Sequence, residues 1–475
     1  MNSYLFYDLE TSGLNKAFDQ IIQFAAIRTD MQLNEIERYN FLVKLRPDVI
    51  PSPKALITHK IPISKTMTGM SEYEAAKKIH RLINEPGTIS LGYNTLRFDD
   101  EFLRFTFHRN LLPPYTHQYN HGCRRMDIFP ITVMFRLYRE KVLSWPSRNG
   151  KPSLKLEDLN ADNGLAAGAS HDALVDVEAT IALTRHFIKE SDMWNYLSGH
   201  FLKEVDRQRA ENLPVSFQND QFKHTHGILV SSEFGADMQF QSPVLFIGSS
   251  IPYSNQTLWL RMDLPELRET TMDSIRETTW VIRKRFGEPG ILLPPLERYI
   301  HILENKRMVE HNKNLEWIRS NIELFHSIIR YHQTFRYPEI PNLDADAALY
   351  QMGFHSHKTE ALCREFHLAP FSGKLKLISQ FQTPETSTLA GRILARNFSE
   401  TLPKEIENQF ATYLSRLSPE SPESAMVDYK GEARTTPAGA LMDIQKIKTE
   451  EKIEQAQVIL LDELETYLIQ TFQSI

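Results

Sequence analysis

With 475 residues, the chain is too long for one hydrophobic core, and the usual size of a domain predicts about two to four domains. Its composition, 41% hydrophobic and 24% charged, is that of an ordinary globular protein, and its apolar runs are too short to cross a membrane. A net charge of −6 excludes a molecule that is basic all over, so any polyanion must be held by a local basic surface.

Residues 1–192 are predicted to form an α/β domain with a mixed sheet. Three closely spaced apolar segments, "SYLFYDLE", "QIIQFAAIRTD" and "IERYNFLVKLRP", predict an antiparallel meander. "SEYEAAKKIHRLIN" has helical spacing, with Ser71 and Glu74 as a capping box. A short buried strand, "TISLGYN", precedes two further predicted helices, "DDEFLRFTFHRNL" and "HDALVDVEATIALTRHFIKE".

The rest of the chain divides into two regions of different pattern. Residues 193–345 contain three predicted strands, "HGILVSS", "SPVLFIGSS" and "TLWLRMDL", and then a predicted helix, "DSIRETTWVIRKRFGE". Residues 346–475 are predicted to be helical, because "KEIENQFATYLSRL" and the closing "EEKIEQAQVILLDELETYLIQTF" carry apolar stripes. Two distant cysteines, Cys123 and Cys363, argue against a disulfide framework and favour a reducing cytoplasm.

Two acids, Asp8 and Glu10, stand two residues apart at the end of the first predicted strand. Residues i and i+2 of a strand point to the same face, so the two carboxylates project together. Their mutual repulsion would be relieved by a divalent cation with a preference for oxygen, such as Mg²⁺ or Mn²⁺. A solvated strand end with two incidental acids is the alternative.

Two more segments carry acids at predicted helix starts. "LGYNTLRFDDEF" places Asp99 and Asp100 after a buried strand, where either of them could simply cap the helix. "SHDALVDVEAT" places His171 near another helix start and Asp176 one and a half turns into that helix, facing the edge of the sheet. The alternative is that Ser170 or Asp172 caps the helix and that His171 and Asp176 form a surface pair. Taken alone, each segment leaves both interpretations open.

In this order, the segments resemble the DEDD superfamily of 3′-to-5′ exonucleases, in its His-containing branch. The resemblance covers about the first 190 residues and implies a ribonuclease-H-like fold. It also implies that Asp8, Glu10, Asp99 and Asp176 bind two Mg²⁺ ions, with Mn²⁺ as a substitute. Asp99 is preferred over Asp100 because the acid of the family follows "RF" directly.

This chemistry fits phosphodiester hydrolysis. Two metal ions about 3.5–4 Å apart lower the pKa of a water and stabilise the departing 3′ oxygen. Imidazole side chains titrate near neutral pH, so His171 is predicted to take the proton from the attacking water. No serine or cysteine nucleophile is required.

Four motifs, "QFAAIRTD", "LGYNTLRFDDEF", "SLKLEDLNADNG" and "HDALVDVEATIAL", are similar to the bacterial exodeoxyribonuclease I family, as are "ALYQMGFHSHKTEAL" and "LARNFSETL" near the C-terminus. The resemblance implies an SH3-like β-barrel with a helix in residues 193–345 and an all-helical domain in residues 346–475. It also implies degradation of single-stranded DNA from the 3′ end to nucleoside 5′-monophosphates, in repair and recombination. A cytoplasmic monomer without a membrane segment, which also binds the acidic C-terminal tail of single-stranded DNA-binding protein, is expected.

Basic side chains near the predicted site are candidates for holding the phosphates of the strand. Lys155, in "SLKLEDL", stands where the family usually carries arginine, and it keeps the charge without the bidentate geometry. Arg97 and Arg124 are further predicted substrate contacts, and Glu10 is expected to touch the substrate as well as the metal. Arg104, Arg109 and the aromatic residues Phe98, Phe102 and Phe105 are weaker candidates, because core packing explains a helical stripe equally well.

Three alternatives remain at this stage. An exoribonuclease or a proofreading-type exonuclease of the same superfamily would share the same acids, and no residue decides how the 2′-hydroxyl is treated. An inactive nucleic-acid-binding scaffold is the third, although all five expected site residues, Asp8, Glu10, Asp99, His171 and Asp176, are present.

Overall fold

A mixed sheet organises the N-terminal part of the computed structural model, which describes residues 2–168, 171–218, 223–398 and 402–472. Its five strands lie in the order β3-β2-β1-β4-β5, with β1, β2 and β3 antiparallel and β4 and β5 parallel to β1. The predicted meander is therefore confirmed. The strands are β1 (Ser3–Thr11), β2 (Ile21–Thr29), β3 (Glu35–Leu42), β4 (Thr88–Leu91) and β5 (Arg124–Arg125).

Helices cover both faces of this sheet, because β1 has apolar residues on both of its faces. Tyr4 and Phe6 pack on one face in a core with Val177 and Ile181, whereas Leu5 packs on the other. A two-stranded ribbon, β6 (Ser147–Arg148) and β7 (Lys151–Pro152), lies apart from the sheet. The helices are α1 (Pro53–His59), α2 (Ile63–Thr66), α3 (Glu72–Ile83), α4 (Asp99–Arg109), α5 (Ile128–Tyr138), α6 (Leu156–Asn163) and α7 (Ala173–Ile188).

The second region contains an antiparallel six-stranded sheet, in which β12-β11-β10-β9-β13 follow one another and β8 pairs with β9. The strands are β8 (Val215–Gln218), β9 (Lys223–Val230), β10 (Gln241–Ser249), β11 (Thr257–Arg261), β12 (Val281–Lys284) and β13 (Ile291–Leu293). The helices are α8 (Ser191–Ser198), α9 (Lys203–Glu211), α10 (Ile275–Thr278), α11 (Glu297–Ile300), α12 (Asn305–Ser320) and α13 (Ile322–Thr334).

One predicted helix in this region is wrong. Only α10 is helical within "DSIRETTWVIRKRFGE", and the segment continues as β12, the edge strand beside β11. Trp280, Val281 and Ile282 are aromatic or β-branched, and such residues fit a pleated sheet better than a helix. Pairing with β11 therefore outweighs the helical spacing of the charged residues.

The C-terminal region is helical, as predicted. Its helices are α14 (His357–Leu368), α15 (Phe371–Ile378), α16 (Pro384–Asn397), α17 (Lys404–Ser415), α18 (Pro437–Glu450) and α19 (Gln455–Phe472). The regions share cores: Ile228 and Leu293 join the core that contains Phe6, and Leu461 joins one that contains Phe18. The three-part architecture is thus confirmed, while the boundaries at 192/193 and 345/346 stay predictions. Among the described residues, no helix has the length and apolarity that crossing a bilayer requires.

Candidate active site

Strand β1 and helix α7 bring three acids together. Asp8 and Glu10 continue the alternation of Tyr4 and Phe6, so they point to the face of the sheet that α7 covers. Asp176 lies in the first turn of that helix. One carboxylate oxygen from each of the three acids lies within 4.8 Å of the others. Three of the four predicted acids therefore lie close together in this fold.

The environment of these acids disfavours their charged forms. Burial, and then the charge of Asp176 and of Asp99, raises the pKa of Glu10 to about 9. Burial also raises the pKa of Asp8 well above its ordinary range, with Asp99 and Glu10 as the next causes. The pKa of Asp176 rises to about 6, because burial outweighs the favourable charge of His171. A positive charge bound near these carboxylates would favour their charged forms and lower their pKa values.

Asp99 is presented by the turn between β4 and α4. Gly92 must lack a side chain here, because a Cβ would lie 2.4 Å from the carbonyl oxygen of Tyr7. Asn94 then takes a left-handed conformation, with φ of +63°. Asp99 lies outside the 4.8 Å group, but its charge raises the pKa of Asp8 and of Glu10. Its own pKa is raised well above the ordinary range by burial, and then by the charges of Asp127 and Asp100.

Asp100, the neighbour of Asp99, has the opposite environment. Its carboxylate meets Arg104 and Arg125, each at 2.6 Å, and His117 at 2.7 Å. Burial alone would raise the pKa of Asp100, but these three partners lower it below the ordinary range. Asp100 is therefore neutralised by the protein itself. Asp99 is the acid left to face the site.

His171 lies just before α7, with φ of +64°, and its side chain is 43% exposed. Its Nε2 atom lies 3.1 Å from Oε2 of Glu157, whose Oε1 atom lies 3.2 Å from Nζ of Lys155. Lys155 is 73% exposed, so it can reach a ligand. Glu157 thus links the predicted proton acceptor to the predicted phosphate contact.

The other predicted substrate contacts lie farther from the acids. Arg97, two residues before Asp99, donates to Oε1 of Glu233 at 2.7 Å and to Ser231 at 3.1 Å, both in the second region. Arg124 lies in β5 near Tyr4, four residues of β1 before Asp8, which corresponds to about 13 Å along a strand. The structure therefore does not bring Arg124 into the acidic group.

The weaker candidates of the sequence analysis are mainly structural. Phe102 and Phe105 are fully buried, and Arg109 is fully buried as well. Arg104 pairs with Asp100, and Phe98 is partly buried beneath Nζ of Lys16, which lies 4.8 Å from the centre of its ring. Core packing, the alternative weighed for these residues, describes their environment in this fold.

Two acids near the site, Asp127 and Glu157, were missed by the sequence analysis, which considered Asp172 only as a helix cap. Asp127 and Asp172 do cap α5 and α7, respectively, and a helix start after "MD" would have signalled Asp127. Asp172 also raises the pKa of Asp8, Glu10 and Asp176 through its charge. Nothing in the sequence points to Glu157, because its role depends on how α6 packs beside His171.

The donor set fits a divalent metal ion. Among the described residues, no ion pair to lysine or arginine involves the four site acids Asp8, Glu10, Asp99 and Asp176. Carboxylate oxygens are the ligands that Mg²⁺ and Mn²⁺ prefer. A cation bound between these oxygens would remove the repulsion that raises their pKa values. The residues present are thus suited to bind such an ion.

Comparison with known proteins gives the family. Residues 5–184 match the model of the RNase_T exonuclease family. Exodeoxyribonuclease I of Escherichia coli K12 is 30% identical over 384 residues, which cover 76% of this chain and 78% of that protein. The Haemophilus influenzae exodeoxyribonuclease I is 30% identical over 306 residues, 63% of each chain.

A solved structure agrees with these matches. The crystal structure of E. coli exonuclease I in complex with a dA16 oligonucleotide superposes with a TM-score of 0.84 and 25% identity, and it covers 99% of this chain and 100% of that one. The fold and the exonuclease class predicted from the sequence are confirmed by these comparisons. The chain belongs to the exodeoxyribonuclease I family.

Proposed function

We propose that this enzyme removes nucleoside 5′-monophosphates one at a time from the 3′ end of single-stranded DNA. The observation that carries the proposal is the convergence of Asp8, Glu10 and Asp176 within 4.8 Å, beside Asp99. Relatives named exodeoxyribonuclease I, and a relative solved with a dA16 oligonucleotide, support this substrate.

Two divalent ions, Mg²⁺ or Mn²⁺, are proposed as the cofactor. Asp8, Glu10, Asp99 and Asp176 would hold them, and the bound ions supply positive charge that activates water and stabilises the leaving oxygen. A relative has been solved in a zinc-bound form with single-stranded DNA, which supports metal use in this family. The acids themselves position the ions and leave the phosphate to be neutralised by the ions and by basic side chains.

His171 is proposed to accept the proton of the attacking water. With Nε2–H donated to Glu157, the lone pair of the imidazole lies on Nδ1, which is the atom that can take the proton. Lys155, which shares Glu157, is proposed to contact the phosphate that follows the cleaved bond. Arg97 is proposed to contact the strand next to Asp99, and Arg124 a more distant phosphate.

Nucleotide release from end-labelled substrates tests the reaction. With Mg²⁺, single-stranded DNA should lose 3′ nucleotides much faster than duplex DNA or RNA, and EDTA should stop the release. Faster release from RNA would favour the exoribonuclease alternative. Activity mainly on a mismatched primer end would favour a proofreading-type exonuclease. Binding without any metal-dependent release would leave only the scaffold. Lys155→Ala and Arg97→Ala should raise KM for the strand, whereas exposed Lys446→Ala serves as the control.

A partner site is proposed between the N-terminal and second regions, at the C-terminal ends of α5 and α7. A groove of about 1100 Å³ is lined by aromatic residues, among them Tyr138 and Tyr196. Its charged lining consists of the basic residues Arg139, Lys141, His186, Lys189, Arg298 and His301 and the acids Glu140, Glu190 and Asp192. Apolar walls with basic side chains suit the acidic C-terminal tail of single-stranded DNA-binding protein. Arg298→Glu should abolish binding of a synthetic tail peptide, while Lys446→Glu should not. Equal binding by both variants would remove this groove from the proposal.

The cellular setting is proposed in the same way. Cys123 and Cys363 are both buried free thiols, which suits a reducing cytoplasm. A nuclease for 3′ single-stranded tails would act in DNA repair and recombination. We propose that it works as a monomer, which the molecular mass in solution would check.

A further inference from the structure

The loop that follows Glu10 is held rigidly by the protein. The carboxylate of Asp19 accepts hydrogen bonds from Ser12 Oγ at 3.0 Å and from the N–H of Asn15 at 2.8 Å. A Cβ on Gly13 would lie 2.3 Å from this carboxylate, so only glycine fits there. Buried Arg109 donates to the carbonyl oxygens of Lys16, Ala17 and Asp19 at 2.9–3.1 Å.

The helical C-terminal region reaches this loop through one turn, residues 427–434. Nδ2 of Asn15 donates a hydrogen bond to Oδ2 of Asp428 at 3.1 Å. The other oxygen of Asp428 accepts the N–H groups of Lys430 and Glu432, at 2.8 and 3.0 Å. Asp428 is only 2% exposed, and Arg434 of the same turn lies over the ring of Phe18. The turn is therefore folded around a carboxylate that is aimed at the loop.

The same turn also reaches the helix that carries Asp99. The hydroxyl of Tyr429 donates to Glu101, in the first turn of α4, at 2.9 Å. The ring of Tyr429 stacks on Phe105 of α4, with 5.1 Å between the ring centres. Asp428 thus contacts the loop that follows Glu10, and its neighbour Tyr429 contacts the helix that carries Asp99.

We propose that Asp428 and Tyr429 are positioning residues of the nuclease site. They set the loop after Glu10 and the start of α4 relative to each other, so the C-terminal region supports the geometry on which the chemical step depends. This inference rests on the proposed nuclease function. It assigns neither residue a contact with the substrate.

Exchange of the two polar groups provides the main test. In Asp428→Asn, an amide NH₂ faces the NH₂ of Asn15, and in Asn15→Asp, a carboxylate faces the carboxylate of Asp428, so each single variant loses the hydrogen bond. The double variant Asn15→Asp/Asp428→Asn rebuilds it with donor and acceptor exchanged, and the amide oxygen introduced at position 428 still accepts from Lys430 and Glu432. Each single variant should lower kcat on a dT30 strand about tenfold with KM within twofold, and the double variant should recover kcat to within about twofold.

Two further variants separate positioning from general stability. Tyr429→Phe removes only the bond to Glu101 and keeps the ring stack, so kcat should fall about threefold. Asp443→Asn, on the exposed face of α18, is the matched control and should leave both constants unchanged. Unchanged kcat in the Asn15 and Asp428 single variants, a rise in KM instead of a fall in kcat, or no recovery in the double variant would overturn the inference. If wild-type enzyme with Mg²⁺ releases nothing from dT30, it is the proposed function that fails.

Discussion

Two groups of buried or partly buried carboxylates in this molecule differ in the source of their counter-charge. In the candidate active site, no described arginine or lysine pairs with the acids, and their pKa values are raised. In the interface group, between the N-terminal and helical regions, every acid meets an arginine. That group consists of Asp48, Glu72, Asp344 and Asp346, with Arg46, Arg109, Arg392, Arg396 and Arg434.

The pKa values of Asp48, Glu72 and Asp346 in the interface group move the other way. Burial would raise the pKa of Asp48, but Arg396 and other arginines lower it below the ordinary range, and Asp346 behaves likewise. Arg396 lies 2.7 Å from Asp48 and 2.5 Å from Asp346. The fold thus neutralises its own acids where they join two regions. Among the described residues, it places no lysine or arginine against the acids of the candidate active site, which suits the binding of a divalent cation.

The largest effect should come from removal of a site acid. Asp8→Ala or Asp176→Ala should lower nucleotide release by at least about 10⁴-fold, or about 5.4 kcal/mol of barrier, because the metal ions lose a ligand. Strand binding should largely survive, and the melting temperature in EDTA should not fall, because removal of one carboxylate lowers the repulsion among the site acids. Near-native turnover in either variant, measured with labelled single-stranded DNA, would contradict the assignment.

Removal of the charge of an acid in the interface group should instead lower the stability of the folded protein. Asp48→Asn removes the negative charge that Arg46, Arg396 and Arg434 share, and it leaves buried Arg434 without its acid, which costs about 3–5 kcal/mol of unfolding free energy. Denaturant unfolding of this variant and of exposed Asp443→Asn measures the difference. A stability equal to that of the control would show that the two groups do not differ as argued.

The interface group should also set the acid limit of stability. A carboxylate with a lowered folded pKa stabilises the protein above the ordinary pKa of aspartate, about 4, and this contribution is lost as the pH falls through the folded pKa. The melting temperature should therefore drop steeply below about pH 4, and Asp48→Asn should flatten that drop. Parallel curves for wild type and variant would assign the acid limit to other groups.

The sequence alone predicts those features of this molecule that depend on the spacing of neighbouring residues. Alternation along β1 fixes the common face of Asp8 and Glu10, and helical spacing predicts the helix that carries Asp176, although this acid lies in the first turn of α7 and not one and a half turns in. It could not separate Asp99 from Asp100 physically, because Arg125, one of the partners of Asp100, comes from a distant segment. Long-range packing likewise decides the strand β12, which local spacing assigned to a helix.

A smaller effect than that of the acids is expected from His171. His171→Ala should lower turnover about 10²-fold, or about 2.7 kcal/mol, because proton transfer to a side chain is lost while the metal ligands remain. Metal binding, followed by the Mg²⁺-induced rise in melting temperature, should be retained. Glu157→Gln should have a milder effect, because it keeps an acceptor for Nε2–H. Wild-type turnover of His171→Ala at pH 7 would remove this residue from the mechanism.

A smaller effect than that of His171 is expected from Asp127, a buried acid whose environment differs from both groups. Its carboxylate accepts the N–H groups of Asn94, Leu96 and Phe129 at 2.9–3.1 Å, and its pKa is raised to about 6 by burial despite these bonds. Two of the bonds fix the turn that presents Asp99. Asp127→Ala should therefore lower kcat about tenfold and raise the Mg²⁺ concentration needed for half-maximal activity.

Ser71→Ala is the matched control for Asp127→Ala. Ser71 caps α3 in the same way, through the N–H of Glu74, and its loss costs a similar capping energy of about 1 kcal/mol without disturbing Asp99. Turnover and Mg²⁺ dependence of Ser71→Ala should match the wild type. If both variants lose the same activity, Asp127 acts only on stability. If only Asp127→Ala loses activity, Asp127 has a second role. A buried acid without a basic partner then also holds the backbone turn that presents Asp99, a proposed metal ligand.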